Sequence, residues 1–417
     1  MDGLAFRWLL GTTLPAVRDL GLPEHAEDEL VAAMACGDPT EGFLWMSCDA
    51  CGVHRVVATS CKGRGFCARC GGRRMAQGAA HLVDEVLPMA PVRQWVLSLP
   101  MRVRLGMAWK PERVACALAI VIEVLEGFYR ARTGGQSGYV TVIQRFGSSL
   151  NLNIHFHILA LDGGYVEEDG RLRFIASPAP GRRALSSMVQ AMGRRLDRLM
   201  ASEDEEDPGE DGQLAAWASQ TGGGQAGTRP ERRFEASWGW YSLDASRRTA
   251  ARDRDGLERL CRYVLRPAVC LSRLGTDAEG RVVMTLRHPW RDGTAALRFE
   301  RVEFVRRLAA LVPPKGQHLV RYHGVLAPAS KLRSRVVRCR RRVARWIRWS
   351  VLVERTFGVD AIRCPVCRER MRERALVRRG AREVWMWLEA HAERLLVGPP
   401  SRAGPAATAM GGGARAG

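Results

Sequence analysis

The stretch NLNIHFHILALDGG, residues 151–164, places two histidines inside an otherwise apolar run. Side chains alternate between the two faces of a strand, so residues two apart lie on one side, about 7 Å from each other. His155 and His157 therefore face one way, while Phe156 faces the other way into apolar packing. The pattern predicts a strand that carries a pair of imidazoles on one face. Two structural histidines at a sheet surface would give the same pattern.

The segments around this strand predict an α+β domain. QWVLSLP (94–100) and GYVTVIQRFG (138–147) are apolar or β-branched runs that end near Pro or Gly, which is typical of strands. A long buried helix is predicted at residues 111–132, where Pro111 suits the first turn. The further predicted elements are a strand at 172–177 and a helix at 183–200. This order of elements indicates an antiparallel sheet covered by helices.

Length and composition indicate a globular protein of two or three domains. The chain has 417 residues, of which 46% are hydrophobic and 26% charged. No apolar run reaches the roughly 18 residues that a membrane span needs. The first residues also lack the pattern of a secretory signal peptide. We expect a cytoplasmic protein.

The charge balance indicates a polyanionic partner. Lys and Arg number 64 and Asp and Glu 44, which gives a net charge of +20. Basic side chains bind nucleic acids by displacing counterions from phosphates, so DNA is the expected partner. A codon bias towards arginine would produce the same excess.

Composition shifts along the chain predict four consecutive regions. Residues 1–90 contain a cysteine cluster, and residues 91–325 contain the predicted sheet domain. An acidic and then glycine-rich stretch at 202–232 reads as a flexible insertion. Residues 326–398 form a basic, mainly helical C-terminal region, and 399–417 are a low-complexity tail that we expect to be disordered.

The cysteine cluster predicts a zinc site. CDAC (48–51) and CARC (67–70) are two C-x2-C pairs with fifteen residues between them, a spacing suited to four thiolate ligands. The predicted ligands are Cys48, Cys51, Cys67 and Cys70. Cys61 is a substitute ligand, because five sulfurs compete for four places. A third pair, CPVC (364–367), has no partner pair nearby in the sequence and predicts a site only weakly.

Basic residues surround the predicted zinc ligands. The zinc module is therefore expected to contact DNA, although the ion could equally serve only to fold a small subdomain. The residues expected to contact DNA there are Lys62, Arg64, Arg73 and Arg74.

The two histidines can bind a second, different metal. A third ligand has to come from a neighbouring strand, and Gln144 in VTVIQRFG is the best candidate. Imidazole and oxygen ligands without thiolate favour Mg²⁺ or Mn²⁺. Such an ion keeps open positions and can polarise a phosphate oxygen.

A tyrosine on a basic helix supplies a candidate nucleophile. DGLERLCRYVLRP (255–267) has the apolar periodicity of a helix with one buried stripe, and Asp255 with Glu258 resembles a capping box. Tyr263 falls off the apolar stripe, so its phenol is predicted to project from a cationic face and meet a DNA phosphate. The arginines expected to bind that phosphate are Arg259, Arg262 and Arg266. A boundary tyrosine whose hydroxyl meets only water would fit the same pattern.

Several segments together resemble the HUH class of rolling-circle insertion-sequence transposases, above all the IS91 family and its common-region relatives. The segments that carry the resemblance are SCKGRGFCARCGGRRMA, VRQWVLSLP, QRFGSSLNLNIHFHILALDGGY, YVLRPAV and LVRYHGVLAP. The resemblance runs from about residue 25 to 370. The zinc and histidine segments are its most specific parts.

The resemblance implies an N-terminal zinc-binding domain followed by a HUH nuclease domain. His155 and His157 would be the HUH pair, and Tyr263 would attack single-stranded DNA, leaving a 5′-phosphotyrosine and a free 3′-hydroxyl. Two departures stand out. Arg259 occupies the place of a second tyrosine found in some members, and the segment after about residue 372 does not resemble the family.

Two alternative functions remain open from the sequence. A replication initiator or relaxase uses the same nuclease chemistry, although the cysteine cluster ahead of the histidine strand favours a transposase. A catalytically inactive remnant would bind DNA through its zinc domain and basic helices alone.

Overall fold

A computed structural model of the protein describes residues 1–108, 110–201, 209–220, 233–290, 292–337, 360, 362–378, 380–391 and 395–397. Its helices are α1 (Gly3–Arg18), α2 (Glu24–Met34), α3 (Ala68–His81), α4 (Met101–Ala108), α5 (Pro111–Thr133), α6 (Arg182–Ala201), α7 (Gly209–Gln220), α8 (Arg254–Val264), α9 (Arg301–Ala310), α10 (Arg333–Val336) and α11 (Ala381–His391). Its strands are β1 (Phe43–Ser47), β2 (His54–Ala58), β3 (Val92–Ser98), β4 (Gly138–Phe146), β5 (Leu152–Leu161), β6 (Gly163–Glu168), β7 (Arg171–Ala176), β8 (Glu235–Trp238), β9 (Tyr241–Asp244), β10 (Arg248–Thr249), β11 (Leu274–Thr276), β12 (Val282–Thr285), β13 (Ala296–Phe299), β14 (Val320–Gly324), β15 (Arg372–Val377) and β16 (Leu395–Val397).

The chain divides into two compact units that do not follow the predicted linear order of domains. The first, which we call the sheet unit, comprises Met1, Leu9–Leu30 and Arg64–Arg342. The second, which we call the cysteine unit, comprises Asp2–Trp8, Val31–Gly63 and Val343–Gly417. The cysteine unit thus combines residues from both ends of the chain.

The sheet unit is built on an antiparallel sheet, as the α+β prediction expected. The strand order is β14-β4-β5-β3-β9-β8, and β10 pairs additionally with β3. The histidine strand β5 lies between β4 and β3, and each of these two pairs with it over most of its length. Strand β5 is therefore internal to the sheet and rigidly held.

Helix α5 and a group of aromatic side chains cover one face of this sheet. Pro111 opens the helix, and Gly134 ends it with a left-handed backbone at φ 70°, a conformation that glycine adopts without strain. Trp95 on β3 meets Tyr129 of the helix edge to face, with ring centroids 6.3 Å apart, and its indole nitrogen donates to the Tyr129 hydroxyl at 3.1 Å. Phe156 points to this face and is fully buried.

Helix α8 packs against the opposite face, which carries the histidines. Its apolar stripe and the sheet residues beneath it belong to one buried cluster. The members that join helix and sheet are Leu257, Leu260, Cys261 and Val264 with Val140, Val142, Leu159 and Leu161. The apolar periodicity of residues 255–267 therefore predicted the buried side of α8, although Leu265 is only half-buried.

A buried charge network fixes one end of β3 against β5. Asp162 is 1% exposed and accepts two hydrogen bonds from Arg93 on β3, both at 2.9 Å. Arg248 on β10 donates to the same carboxylate at 2.7 Å, and the Tyr129 hydroxyl donates at 3.3 Å. A bidentate arginine pair of this kind is directional and strong. The network ties β3, β10 and the residue that follows β5 to helix α5.

The structure differs from the sequence expectation in the region predicted as a flexible insertion. Residues 209–220 form α7, and the Arg306 guanidinium lies 4.4 Å from the Trp217 ring. The flanking stretches 202–208 and 221–232 lie outside the described residues, as do the tail from 398 and residues 338–359 of the predicted basic C-terminal region. None of the helices that the structure describes is long and apolar enough to cross a membrane.

The cysteine unit contains a four-stranded sheet of order β15-β1-β2-β16 within its described residues. The hairpin β1–β2 comes from the N-terminal part of the chain, and the two outer strands come from the C-terminal part. Strand β15 pairs antiparallel with β1, whereas β16 pairs parallel with β2. Helix α11 covers this sheet, and its Trp385 ring lies 6.2 Å from Phe43. Where it is described, the C-terminal region thus contains strands as well as helices.

Candidate active site and cysteine ligands

A cavity of about 430 Å³ lies over the histidine face of the sheet, beside the C-terminal end of α8. Its walls come from β3, β5, β8, β9 and the residues around β10 and α8. The lining residues are Gln94, Val96, Ser98, Asn153, His155, His157, Glu235, Ser242, Asp244, Ser246, Arg247, Tyr263 and Arg266. The structure therefore brings the predicted histidine pair and the predicted tyrosine to one place.

The imidazole rings of His155 and His157 face each other through their Nε2 atoms. Pairing across the sheet sets His155 opposite Ser98 on β3 and Gln144 on β4. The Nε2 atoms of His155 and His157 lie 3.1 Å apart. Two ligands bound at about 2.1 Å and at right angles around one ion would be separated by about 3.0 Å, so this spacing suits a shared cation.

Hydrogen bonding defines where the protons of the pair lie. His155 Nδ1 is 2.8 Å from the Asn153 carbonyl oxygen, which can only accept, so this Nδ1 carries the proton and Nε2 presents a lone pair. The lone pair faces His157 Nε2. Either a proton on His157 Nε2 or a cation must therefore lie between the two rings.

Burial keeps both rings neutral. Desolvation, together with the guanidinium groups of Arg104 and Arg266, lowers the pKa of His155 to about 4. Desolvation also lowers the pKa of His157 well below its ordinary value, with His155, Arg266 and Arg247 adding to the effect. Neutral imidazoles are the form that binds a metal ion.

Gln144, the predicted third ligand, lies on the strand beside His155. Its Nε2 donates to the Val264 carbonyl at 2.7 Å, which ties the last turn of α8 to the sheet. Its buried Oε1 has no hydrogen-bond partner among the residues that the structure describes. A buried oxygen acceptor without a partner is costly, and a cation would satisfy it.

Gln94 contacts the histidine pair and was not predicted from the sequence. Its Nε2 lies 2.7 Å from His157 Nδ1, and its main-chain nitrogen donates to the Arg247 carbonyl at 2.9 Å. Its buried Oε1 also has no partner in the described part of the chain. Only the cross-strand register of β3 with β5 brings Gln94 to this face, and a single strand sequence does not reveal that register.

Tyr263 lies in the last turn of α8, at the edge of the buried stripe. The helix begins after Asp253, whose carboxylate accepts from the Gly256 nitrogen at 2.8 Å, so the predicted cap at Asp255 is wrong by two residues. The Tyr263 ring is half-buried and meets His157 edge to face, with ring centroids 6.0 Å apart. The phenol is thus packed beside the histidine pair and does not project from an open helix face.

Two arginines flank the tyrosine ring. The guanidinium carbons of Arg266 and Arg247 lie 4.7 Å and 5.0 Å from its centroid. Both contacts are of the cation–π type and hold positive charge beside the phenol. Glu235 and Asp244 line the same cavity and supply negative charge. Arg247 was missed because it lies in the connection between β9 and β10, outside any periodic segment.

The other arginines predicted to bind DNA have different surroundings. Arg259 is exposed, whereas Arg262 forms an ion pair with Glu258 at 2.8 Å one turn earlier on the helix. Of the predicted residues on α8, only Arg259 and Arg262 thus lie outside the cavity. The predicted set near the cysteines is exposed: Lys62, Arg64, Arg73 and Arg74.

The structure separates the four predicted zinc ligands into two sets. In the cysteine unit, the sulfurs of Cys48 and Cys51 lie with those of Cys364 and Cys367, all within 4.8 Å of one another. Cys67 and Cys70 belong to the sheet unit, at the start of α3. In the sequence, Cys67 and Cys70 are the nearer C-x2-C pair to Cys48 and Cys51. In the structure, the pairing of β1 with β15 instead brings Cys364 and Cys367 beside them. Cys61, the predicted substitute ligand, belongs to the cysteine unit.

Two family models match parts of the chain. Residues 138–334 match the model Y2_Tnp, described as "Putative transposase", and residues 13–99 match the model Zn_Tnp_IS91, described as "Transposase zinc-binding domain". The first match includes both histidines and Tyr263, and the second includes the N-terminal cysteines. Neither a curated protein nor a solved structure matches the chain.

Proposed function

We propose that this chain, which matches two transposase family models, is a transposase of the IS91 family and that it cleaves and rejoins single-stranded DNA through a covalent bond to Tyr263. The observation that supports the proposal is the one cavity that His155, His157 and Tyr263 line together. Transesterification at phosphorus needs a nucleophile on one side of the phosphate and positive charge on the other. The cavity is lined by a candidate nucleophile, Tyr263, and by the positively charged Arg247 and Arg266.

We infer that His155, His157 and Gln144 hold a divalent cation. The facing Nε2 atoms, the neutral rings and the unpartnered Gln144 oxygen fit such an ion. The nitrogen and oxygen donors favour Mg²⁺ or Mn²⁺ over a thiolate-bound zinc ion. The chemistry supplied by such an ion is polarisation of a phosphate oxygen and orientation of the phosphate.

Gln94 is the residue that selects the metal-binding tautomer of His157. In the structure the Gln94 amide nitrogen lies 2.7 Å from His157 Nδ1. Because this nitrogen donates, Nδ1 accepts and His157 carries its proton on Nε2. A half-turn of the amide places Oε1 there instead, so that Nδ1 carries the proton and the Nε2 lone pair is free. Contacts of this kind to a ligand's second nitrogen orient metal-binding histidines generally.

Tyr263 would act as the nucleophile. Its hydroxyl oxygen forms a bond to phosphorus and loses its proton, the bond from phosphorus to the 3′-oxygen breaks, and that oxygen leaves as a hydroxyl. The product is a 5′-phosphotyrosine. Attack by a second 3′-hydroxyl reverses these changes and joins a new strand, so no nucleotide cofactor is consumed.

Arg247 and Arg266 would bind the scissile phosphate. They lie on the Tyr263 ring from the β9–β10 connection and from the residues just after α8. Guanidinium groups form paired hydrogen bonds to phosphate oxygens and stabilise the charge that grows there in the transition state. Their placement would hold the phosphate within reach of both the phenol and the histidine pair.

The test uses labelled single-stranded oligonucleotides that carry the end of the element, with Mg²⁺ or Mn²⁺ present. We expect a covalent protein–DNA adduct that peptide mapping places on Tyr263. Tyr263→Phe should abolish the adduct and keep oligonucleotide binding. Tyr165→Phe is the matched control, because this half-buried tyrosine packs on Phe174 and does not line the cavity.

Two outcomes would contradict the proposal. An adduct that survives in Tyr263→Phe would move the nucleophile to another residue. Binding without any cleavage by the unaltered protein, with either cation, would support a DNA-binding remnant and not an enzyme.

A further inference from the structure

The two C-x2-C turns of the cysteine unit have the same backbone structure. In CDACG, the Gly52 nitrogen donates to the Cys48 carbonyl at 3.0 Å, and in CPVCR the Arg368 nitrogen donates to the Cys364 carbonyl at 3.0 Å. Gly52 and Arg368, each just after the second cysteine, have φ of 69° and 66°. The two segments, separated by 313 residues from Cys51 to Cys364, therefore form the same turn.

A second pair of contacts repeats in both turns. The Cys48 nitrogen donates to the Val53 carbonyl at 2.8 Å, and the Cys364 nitrogen donates to the Glu369 carbonyl at 2.7 Å. Arg368 adopts the left-handed conformation without being glycine, which is unfavourable and persists where the surroundings impose it. Each turn thereby presents two sulfurs towards the other turn.

The sulfurs are placed for a metal ion and not for disulfides. Cys48 Sγ lies 3.4 Å from Cys367 Sγ, and Cys51 Sγ lies 3.5 Å from Cys364 Sγ. A disulfide needs about 2.05 Å. Tetrahedral bonds of about 2.3 Å around zinc separate the sulfurs by about 3.8 Å, and all four here lie within 4.8 Å of one another.

Main-chain N–H groups and a buried arginine lie close to these sulfurs. Main-chain N–H groups of Ala50 and Cys51 lie against the Cys48 sulfur, and that of Glu369 lies against the Cys367 sulfur. Arg55 on β2 is 3% exposed and is attracted electrostatically to Cys364. Four thiolates around one divalent ion would carry a net charge of −2 beside this guanidinium, which also interacts with the carboxylate of Asp360.

We propose that Cys48, Cys51, Cys364 and Cys367 bind one Zn²⁺ ion, and that residues 360–397 are a structural part of the zinc-binding domain. Both matched family models end before Cys364. Strands β15 and β16 flank the N-terminal hairpin on both sides, and Arg374 of β15 donates to Ser47 at 2.6 Å. The ion would close a fold whose sheet already joins the two ends of the chain.

The first experiment measures zinc per chain in the purified full-length protein. Cys364→Ser/Cys367→Ser and Cys48→Ser/Cys51→Ser should each lower the zinc content by one ion, and the fourfold variant should also lower it by only one. Cys116→Ser and Cys270→Ser are the matched controls, since both cysteines are exposed and lie outside the group. Unchanged zinc content in Cys364→Ser/Cys367→Ser would overturn the proposal.

The second experiment uses the unaltered protein, so that misfolding of a variant cannot produce the result. Each cysteine's alkylation by N-ethylmaleimide is followed by peptide mass spectrometry, before and after a zinc chelator. Cys364 and Cys367 should react slowly at first and at least about tenfold faster once zinc is removed, while Cys116 reacts quickly in both conditions. Equal rates for Cys364 and Cys116 before chelation would contradict the assignment.

Discussion

Substitution of the buried carboxylate of Asp162 tests how much the ion pair with Arg93 contributes to the stability of the sheet unit. In Asp162→Asn the side chain keeps its shape but loses its charge. Arg93, which is 3% exposed, would then be a buried cation without its counter-ion. Removal of one partner from a buried ion pair costs about 3–5 kcal/mol. We therefore expect the free energy of unfolding of the sheet unit to fall by that amount.

Thermal unfolding followed by circular dichroism measures the effect. For a domain of this size, 1 kcal/mol shifts Tm by about 2–4 °C, so the expected decrease is roughly 6–20 °C. The matched control is Glu168→Gln, which removes a carboxylate from an exposed pair with Arg173 at 2.8 Å. Exposed pairs contribute about 0–1 kcal/mol, so this variant should melt within a few degrees of the unaltered protein.

A double variant separates charge from shape. Arg93→Leu/Asp162→Leu removes both buried charges, and Arg248, whose side chain is 43% exposed, can turn to water. It should therefore be more stable than Asp162→Asn. The reasoning is refuted if Asp162→Asn unfolds within about 1 kcal/mol of the unaltered protein, because the carboxylate would then not be the counter-charge that Arg93 needs.

The remaining predictions concern the cavity and DNA. His155→Ala should abolish metal-dependent cleavage and leave the zinc content unchanged, and parallel loss of zinc would show that the two metal sites are not separate. Gln94→Leu should weaken Mn²⁺ binding about 10–100-fold in isothermal titration calorimetry. Gln94→Glu keeps a hydrogen-bond acceptor at His157 Nδ1 and should retain more of the Mn²⁺ affinity. Equal Mn²⁺ affinities in the two variants and the unaltered protein would exclude a positioning role for Gln94. DNA affinity should fall more than about tenfold when salt rises from about 50 to 200 mM, as neutralising several phosphates requires, and a flat dependence would mark the net charge of +20 as codon bias.

Local patterns in the sequence predicted the elements that position the candidate active site. Alternation in NIHFHI placed His155 and His157 on one face of β5, and the helical period of 255–267 placed Tyr263 beside a buried stripe. Both inferences rest on geometry within one element, where the spacing of side chains is fixed by the backbone. The fold class followed from the order of these elements.

Contacts between distant segments were beyond this reasoning. Gln94 and Arg247 meet the histidines and the tyrosine only because β3 pairs with both β5 and β9 in a particular register. Register depends on the whole pattern of sheet and turns, and a one-residue slip would send Gln94 to the other face. The sequence therefore predicted the residues on β5 and α8 but not those around them.

The cysteine residues are the clearest example of contacts between distant segments that the sequence alone does not predict. Cys67 lies 16 positions after Cys51 and has the expected C-x2-C spacing, so the sequence favours it over a pair more than 300 residues away. What overrides this preference is the pairing of β1 with β15, which brings Cys364 and Cys367 to Cys48 and Cys51. CPVC predicted a site only weakly because its nearest cysteines in the structure lie far away in the sequence.

The shared sheet of the two chain ends has a consequence for how the protein is made. Cys51 emerges from the ribosome 313 residues ahead of Cys364. At synthesis rates of about 5–20 residues per second, the first half of the ligand set waits about 15–60 s for the second. Until β15 and β16 have been synthesised, the β1–β2 hairpin has neither flanking strand, so the sheet of the cysteine unit cannot be completed before then.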